Sequence, residues 1–232
     1  DIYYTNGALT HQNYDLETIQ PIGIVGYINK NGDGNYWTEK DTKTDGIGGH
    51  ALVMSLKTIG SYCWNSEDNY GGRPQYSPYM IANSASKDYG SGYNETKVLV
   101  SLGSAFAAAN AAIEYNSECK LPENTTGWFL PSAGQFYAIF SGLGKYVSSN
   151  NFDWYVTNFG RDVRARIQSA LEKVGPGNYT PFKNDIYITC QLKYPCQYHV
   201  ITFMERTDIP ESIVMNCLEL YNSIPLRPFM AF

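Results

Sequence analysis

Charge is scarce in this 232-residue sequence: Asp, Glu, Lys and Arg make up 17% of it, against about 25% in ordinary domains. What charge there is leans acidic, with 17 Lys and Arg, 22 Asp and Glu and a net charge of −5. No basic field is available for a phosphate backbone, which excludes nucleic acid as a partner. Long apolar runs are missing too. The nearest, Val98 to Ile113, is interrupted by Ser101, Gly103, Ser104 and Asn110, so no segment reaches the ~18–20 apolar residues of a membrane span. The three histidines, His11, His50 and His199, lack metal-ligand spacing. H-E-x-x-H, C-x-x-C, G-x-S-x-G and Walker patterns are all absent. No catalytic residue, metal or cofactor is expected.

Cysteines number five (Cys63, Cys119, Cys190, Cys196 and Cys217), so at least one thiol is unpaired within the chain. A chain of this length needs no disulfide framework, so five buried free thiols are expected; the alternative is that Cys190 and Cys196 close a short loop. The numbering opens on Asp1 without a charged and apolar leader, as expected of a fragment or of a chain whose signal peptide has been removed.

The missing charge is replaced by aromatic and uncharged polar groups. Twenty Tyr, ten Phe and four Trp bring aromatics to 15%, a composition that suits an extracellular binding protein. Strand-like runs open the chain: Ile2 to Tyr4, Pro21 to Ile28 and Ala51 to Leu56, apolar and rich in β-branched residues. A helix is expected over Thr96 to Tyr115, with Val98, Leu102, Phe106, Ala109 and Ile113 on one face. A second starts at Ser132, where Ser132 and Gln135 form an S-x-x-Q capping box, and stops at Gly144. A third runs from Arg161 to Val174 and ends at Gly175-Pro176-Gly177. The last part returns to strand character, over Ile186 to Leu192, Tyr198 to Met204, Ile213 to Leu220 and Leu226 to Phe232. With no linker and no repeat, these elements predict a single α+β domain over residues 1–232, with mixed or antiparallel sheets in which the two termini pair.

Three stretches carry a family resemblance: Gly127-Trp128-Phe129-Leu130-Pro131-Ser132-Ala133-Gly134-Gln135, the opening runs at Ile2 to Gly7, Pro21 to Val25 and Gly49 to Val53, and the closing Pro225 to Phe232. In order and spacing they resemble C-type-lectin-like domains of the Lcl C-terminal and Fibrobacter-paralogous kind, as found in Bacteroidetes surface and fimbria-associated proteins. The resemblance implies a C-type-lectin-like two-sheet fold with a long loop region that carries ligand specificity. It also implies an extracellular, bacterial cell-surface location, at the end of a larger adhesin or pilus protein. Within it, Trp128, Pro131, Ser132 and Gln135 are structural: a strand turns sharply into a capped helix pinned by a buried indole. Gln135 stands where the family usually has an acid. The Glu-Pro-Asn and Gln-Pro-Asp calcium motifs of sugar-binding lectins are missing, so calcium-dependent sugar binding does not carry over.

The segment 57–93 reads as a long irregular loop studded with aromatic rings, too aromatic to be disordered and too long to be a simple connection. Trp64, Tyr70, Arg73 and Tyr76, with Asp68 beside them, are the candidate ligand-binding residues. Flat rings with polar rims stack on sugar faces or protein side chains at low entropy cost. The alternative is that the rings pack beneath the loop and hold it down. Asn29 to Gly34 resembles the start of a calcium loop, but Lys40 stands where a bidentate Glu is needed, and a hairpin turn explains the same residues. The sequence therefore predicts a non-catalytic recognition domain for a glycan or a host or matrix protein. The alternatives are a structural pilus-tip or assembly subunit whose partners are fimbrial subunits and, remotely, a cysteine-dependent oxidase of the formylglycine-generating type using Cys190 and Cys196.

Overall fold

A computed structural model of the chain describes residues 1–10, 19–28, 51–66, 92–118, 120–123, 125–144, 160–183, 185–194, 197–206, 209–219 and 221–232. Ten strands are described: β1 (Ile2–Tyr4), β2 (Leu9–Thr10), β3 (Pro21–Ile28), β4 (Ala51–Ser55), β5 (Gly60–Tyr62), β6 (Ile186–Tyr194), β7 (Gln197–Arg206), β8 (Ile209–Glu219), β9 (Ile224–Leu226) and β10 (Phe229–Ala231). Four α-helices accompany them: α1 (Gly92–Leu102), α2 (Ala107–Glu114), α3 (Ala133–Gly144) and α4 (Gly160–Glu172). The fold is α+β, with antiparallel pairing throughout these strands.

The first sheet has the order β10-β4-β3-β1-β2, the second pairs β5 with β9, and the third has the order β6-β7-β8. Both faces of the first sheet are covered, which is why its strands read as unbroken apolar runs. Along β4, Leu52 and Met54 point to one core and Ala51 and Val53 to another. In β10, Phe229 and Ala231 face the first core while Met230 faces the second. Helix α3 crosses the first of these faces and also touches β6 and β7, so it lies between the first and third sheets. Phe136, Ile139 and Phe140 bury its apolar stripe completely. Its approach to β3 is close enough that a Cβ on Gly142 would run into the Gly26 carbonyl, and one on Gly26 would press on Ile139.

Three expectations need correction. The termini meet in a common sheet, as expected, but they do not pair directly: β3 and β4 stand between β1 and β10. The long helix over 96–115 is two helices bent by 111°. Gly103 takes φ +123°, a value open to glycine and strained for other residues. The Asn110 side chain then donates to the Gly103 and Phe106 carbonyls at 3.0 and 2.9 Å, satisfying backbone groups that the break exposes. Phe106 turns into the core, whereas Leu102, counted on the apolar stripe, is 48% exposed. Finally, the closing run is two strands. Arg227-Pro228 interrupts it, Pro228 having no N–H to donate, so β9 pairs with β5 and β10 with β4.

Among the described residues no single helix is long and apolar enough to cross a membrane; the bent pair α1 and α2 passes by length and composition alone. Ala108, Ala109 and Ala112 of that pair are buried within the protein.

Candidate functional site

Trp64 is the described member of the predicted aromatic site, and it lies in the interior at 1% exposure. Phe106 meets its ring edge-on at 5.3 Å, and Tyr198 lies nearly parallel to it at 6.4 Å. Its indole N–H donates to the Cys190 carbonyl at 3.3 Å. The expected ligand contact at Trp64 is thereby corrected: the ring fastens the start of the segment to β6 and α2. Asp68, Tyr70, Arg73 and Tyr76 lie outside the described residues, as do the calcium-like turn 29–34, His11 and His50.

Beside Trp64 the thiol of Cys190 donates to Glu95 Oε2 at 2.6 Å. Both residues are buried, and Cys190 is not in a disulfide, so it does not close a loop with Cys196. Cys63, half-buried, is also free, and burial pushes its thiol up from the ordinary value. Sequence spacing held no signal for the Glu95–Cys190 pair, since nothing in it couples a helix position to a strand this far along the chain.

The Trp128 motif forms a buried turn. Trp128 is fully buried, its N–H donates to Asn116 Oδ1 at 2.6 Å, and its ring tilts against Tyr115 at 5.7 Å. The preceding Gly127 takes φ +70°. The capping bonds are reciprocal: Ser132 N–H donates to Gln135 Oε1 at 2.9 Å, and Gln135 N–H to Ser132 Oγ at 3.1 Å. Pro131 adds its carbonyl, which accepts from Cys190 N–H at 2.9 Å. The N-terminus of α1 sits on this turn. Leu130 N–H donates to Thr96 Oγ1 at 3.0 Å, and a Cβ on Gly92 would press into Gln135 Oε1.

Arg227 was not singled out as more than part of a motif, yet it is a fully buried cation. Its Nη2 donates to the Thr180 carbonyl at 2.6 Å and to Thr58 Oγ1 at 3.1 Å, and the guanidinium lies 5.4 Å from the centre of the Phe182 ring. Nη1 has no hydrogen-bond partner among the described residues. Burial lowers its pKa to about 10, so it remains charged at neutral pH.

A cavity of about 360 Å³ is lined in part by Leu56, whose carbonyl is linked to Arg227 through Thr180. Its floor is Ile22, Leu56 and Tyr115, all buried. Lys57, Glu118 and Lys120 stand on its exposed rim. None of these residues was predicted as a site residue, because the cavity lining comes from five separate stretches of chain, at Thr5, Gln20 to Ile22, Leu56 and Lys57, Tyr115 to Lys120 and Asn178, that only the fold brings together. Among the described residues no three His, Cys, Asp or Glu side chains gather into a metal-binding group.

No protein-family profile matches the chain, and no curated protein does. Among solved structures, the whole chain superposes on a fimbrial protein from Bacteroides ovatus ATCC 8483 with a TM-score of 0.60 and 16% sequence identity. The chain spans 48% of the length of that protein. It therefore shares the fold of about half of a Bacteroides fimbrial protein.

Proposed function

We propose that this chain is a non-catalytic, fimbria-associated domain at the bacterial cell surface. The observation that carries the reading is the full-length superposition on the B. ovatus fimbrial protein. The low charge and high aromatic content agree with an extracellular setting. Within this reading the frame is C-type-lectin-like, with the Trp128 turn as its structural signature, and the partners are other fimbrial subunits. The burial of the Cys190 thiol against Glu95 disfavours the cysteine-oxidase alternative. Mechanical shearing of source cells, followed by immunoblotting of the released fimbriae, tests the assignment. The chain is expected in the sheared fraction and in protease-accessible form on intact cells. Recovery only from the cell interior would overturn it.

A recognition role is the second part of the proposal. Asp68, Tyr70, Arg73 and Tyr76 keep their place in it on the strength of their side-chain chemistry, without Trp64. A Tyr70→Ala, Tyr76→Ala variant that adheres to host cells or matrix as well as the parent chain does would remove this segment from the binding surface.

A further inference from the structure

We propose that the cavity between β3, the β4–β5 connection and the residues following α2 binds an acidic sugar, a monosaccharide unit carrying a carboxylate. At about 360 Å³ it falls in the lower part of the ~300–1,000 Å³ range of small-ligand sites. Its walls divide by chemistry. The buried floor of Ile22, Leu56 and Tyr115 offers an apolar and aromatic surface for the C–H face of a ring. Gln20 and Asn178, both exposed and each with a side-chain amide, complete this part of the lining. Asn178 spends one N–H on the Val174 carbonyl at 3.2 Å, which leaves its acceptor oxygen for a hydroxyl.

The charge balance selects the acid. Lys57 and Lys120 oppose Glu118 on the rim, two positive charges against one negative. Neither lysine is ion-paired among the described residues. Arg227 adds to this field from behind the floor: the Leu56 carbonyl accepts from Thr180 N–H at 2.9 Å, and the Thr180 carbonyl accepts from Arg227 Nη2 at 2.6 Å. Being fully buried, Arg227 makes no direct contact with a ligand, but its charge has no carboxylate beside it among the described residues to cancel it. A locally positive recess on a chain of net charge −5 attracts anions.

This inference rests on the recognition part of the proposal above but not on attachment to fimbriae, so the two fail separately. A chain found inside the cell that still binds the acid loses only the fimbrial assignment. A fimbrial chain that binds no acid loses only this site.

The test is isothermal titration and ligand-observed NMR on the full chain, with glucuronate, galacturonate and N-acetylneuraminate as probes. Glucose and galactose serve as neutral counterparts; acetate and inorganic phosphate serve as anions without a ring, and a short peptide with a free C-terminus serves as a non-sugar acid. At least one acidic sugar is expected to bind below about 10 mM and every control more weakly. Lys57→Gln with Lys120→Gln, both at exposed positions, is expected to lower affinity roughly tenfold at an unchanged melting temperature. Glu118→Gln is expected to raise it about twofold, and added salt to lower it. No binding by any acidic sugar, equal binding by the neutral sugars, the bare anions or the peptide, or affinity indifferent to all three substitutions would each overturn the assignment.

Discussion

The Cys190 thiol donates to Glu95 across 2.6 Å, joining strand β6 to helix α1 where neither residue is more than 1% exposed. Such a bond is costly to leave half-made. Glu95→Ala is expected to destabilise the chain by about 2–3 kcal/mol, since the thiol and its neighbours lose an acceptor in a dry site. A lower urea midpoint at unchanged slope would register it. Glu95→Gln keeps an acceptor oxygen and is expected to lose less. Equal stability of Glu95→Ala and the parent would show that the carboxylate contributes nothing there.

Thiol chemistry offers an independent reading. Cys63 is half-buried and Cys190 is fully buried. In the native protein, site-resolved labelling is expected to modify Cys63 while Cys190 reacts only after unfolding. Because burial holds the Cys63 thiol up, its thiolate is sparse at neutral pH and its labelling rate should climb through the alkaline range.

Trp64 fills a gap between Phe106 and Tyr198, and Trp64→Ala is expected to cost about 3–5 kcal/mol. Trp64→Phe preserves much of the packing and loses the bond to the Cys190 carbonyl, for about 1 kcal/mol. Denaturant unfolding of both variants checks the ordering. If the two changes proved equally mild, Trp64 would not be holding α2 against β6.

The Ser132–Gln135 box is sealed against solvent on all sides. Ser132→Ala is expected to destabilise by about 1–2 kcal/mol, at the upper end for helix caps. Gly92→Ala should also destabilise, because the added methyl meets Gln135 Oε1 and lies 2.9 Å from the Leu130 carbonyl. Thermal melts of the two variants and their double measure whether the α1 and α3 starts act as one unit: sub-additive losses are expected.

Alkaline pH should loosen the fold. Burial raises the phenols of Tyr3, Tyr187 and Tyr198 above their ordinary value of 10.0. Above that pH the unfolded chain sheds phenolic protons that the folded chain retains, so stability falls as pH rises. Arg227 works the other way, since its folded pKa of about 10 lies below 12.5 and the folded chain releases that proton first. Three phenols against one guanidinium leave a net loss, to be read from urea midpoints between about pH 8 and about pH 10.5. A flat or rising midpoint would contradict this.

Local signals in the sequence carried far where chemistry is local. The capping box placed the start of α3 within a residue of its position, and the third helix expected from Arg161 to Val174 is α4, with Val163, Ile167 and Leu171 on its buried face. Continuous apolar runs announced β3 and β4 because both their faces are covered. The helix break at Gly103 was not legible, because the three-and-four spacing of apolar residues continues across it and Phe106 satisfies either arrangement. Strand β5 went unread within a stretch dominated by glycine and tyrosine, since its partner β9 lies at the far end of the chain. Trp64 looked like a platform for the same reason: the rings that enclose it, Phe106 and Tyr198, are distant in sequence. The cavity above Leu56 is a product of tertiary assembly alone.

Ile2, Ile24, Met54 and Phe229 form one row across the first sheet, and beyond it Asp1 and Phe232 leave in the same direction. The Tyr3 and Phe232 rings stack at 4.6 Å, a side-chain contact that spans the two strands between β1 and β10. The Trp128 turn is bonded to that last strand, since Phe129 N–H donates to the Phe229 carbonyl at 2.8 Å and Thr126 N–H to the Ala231 carbonyl at 2.9 Å, so any displacement of β10 is passed straight to the turn.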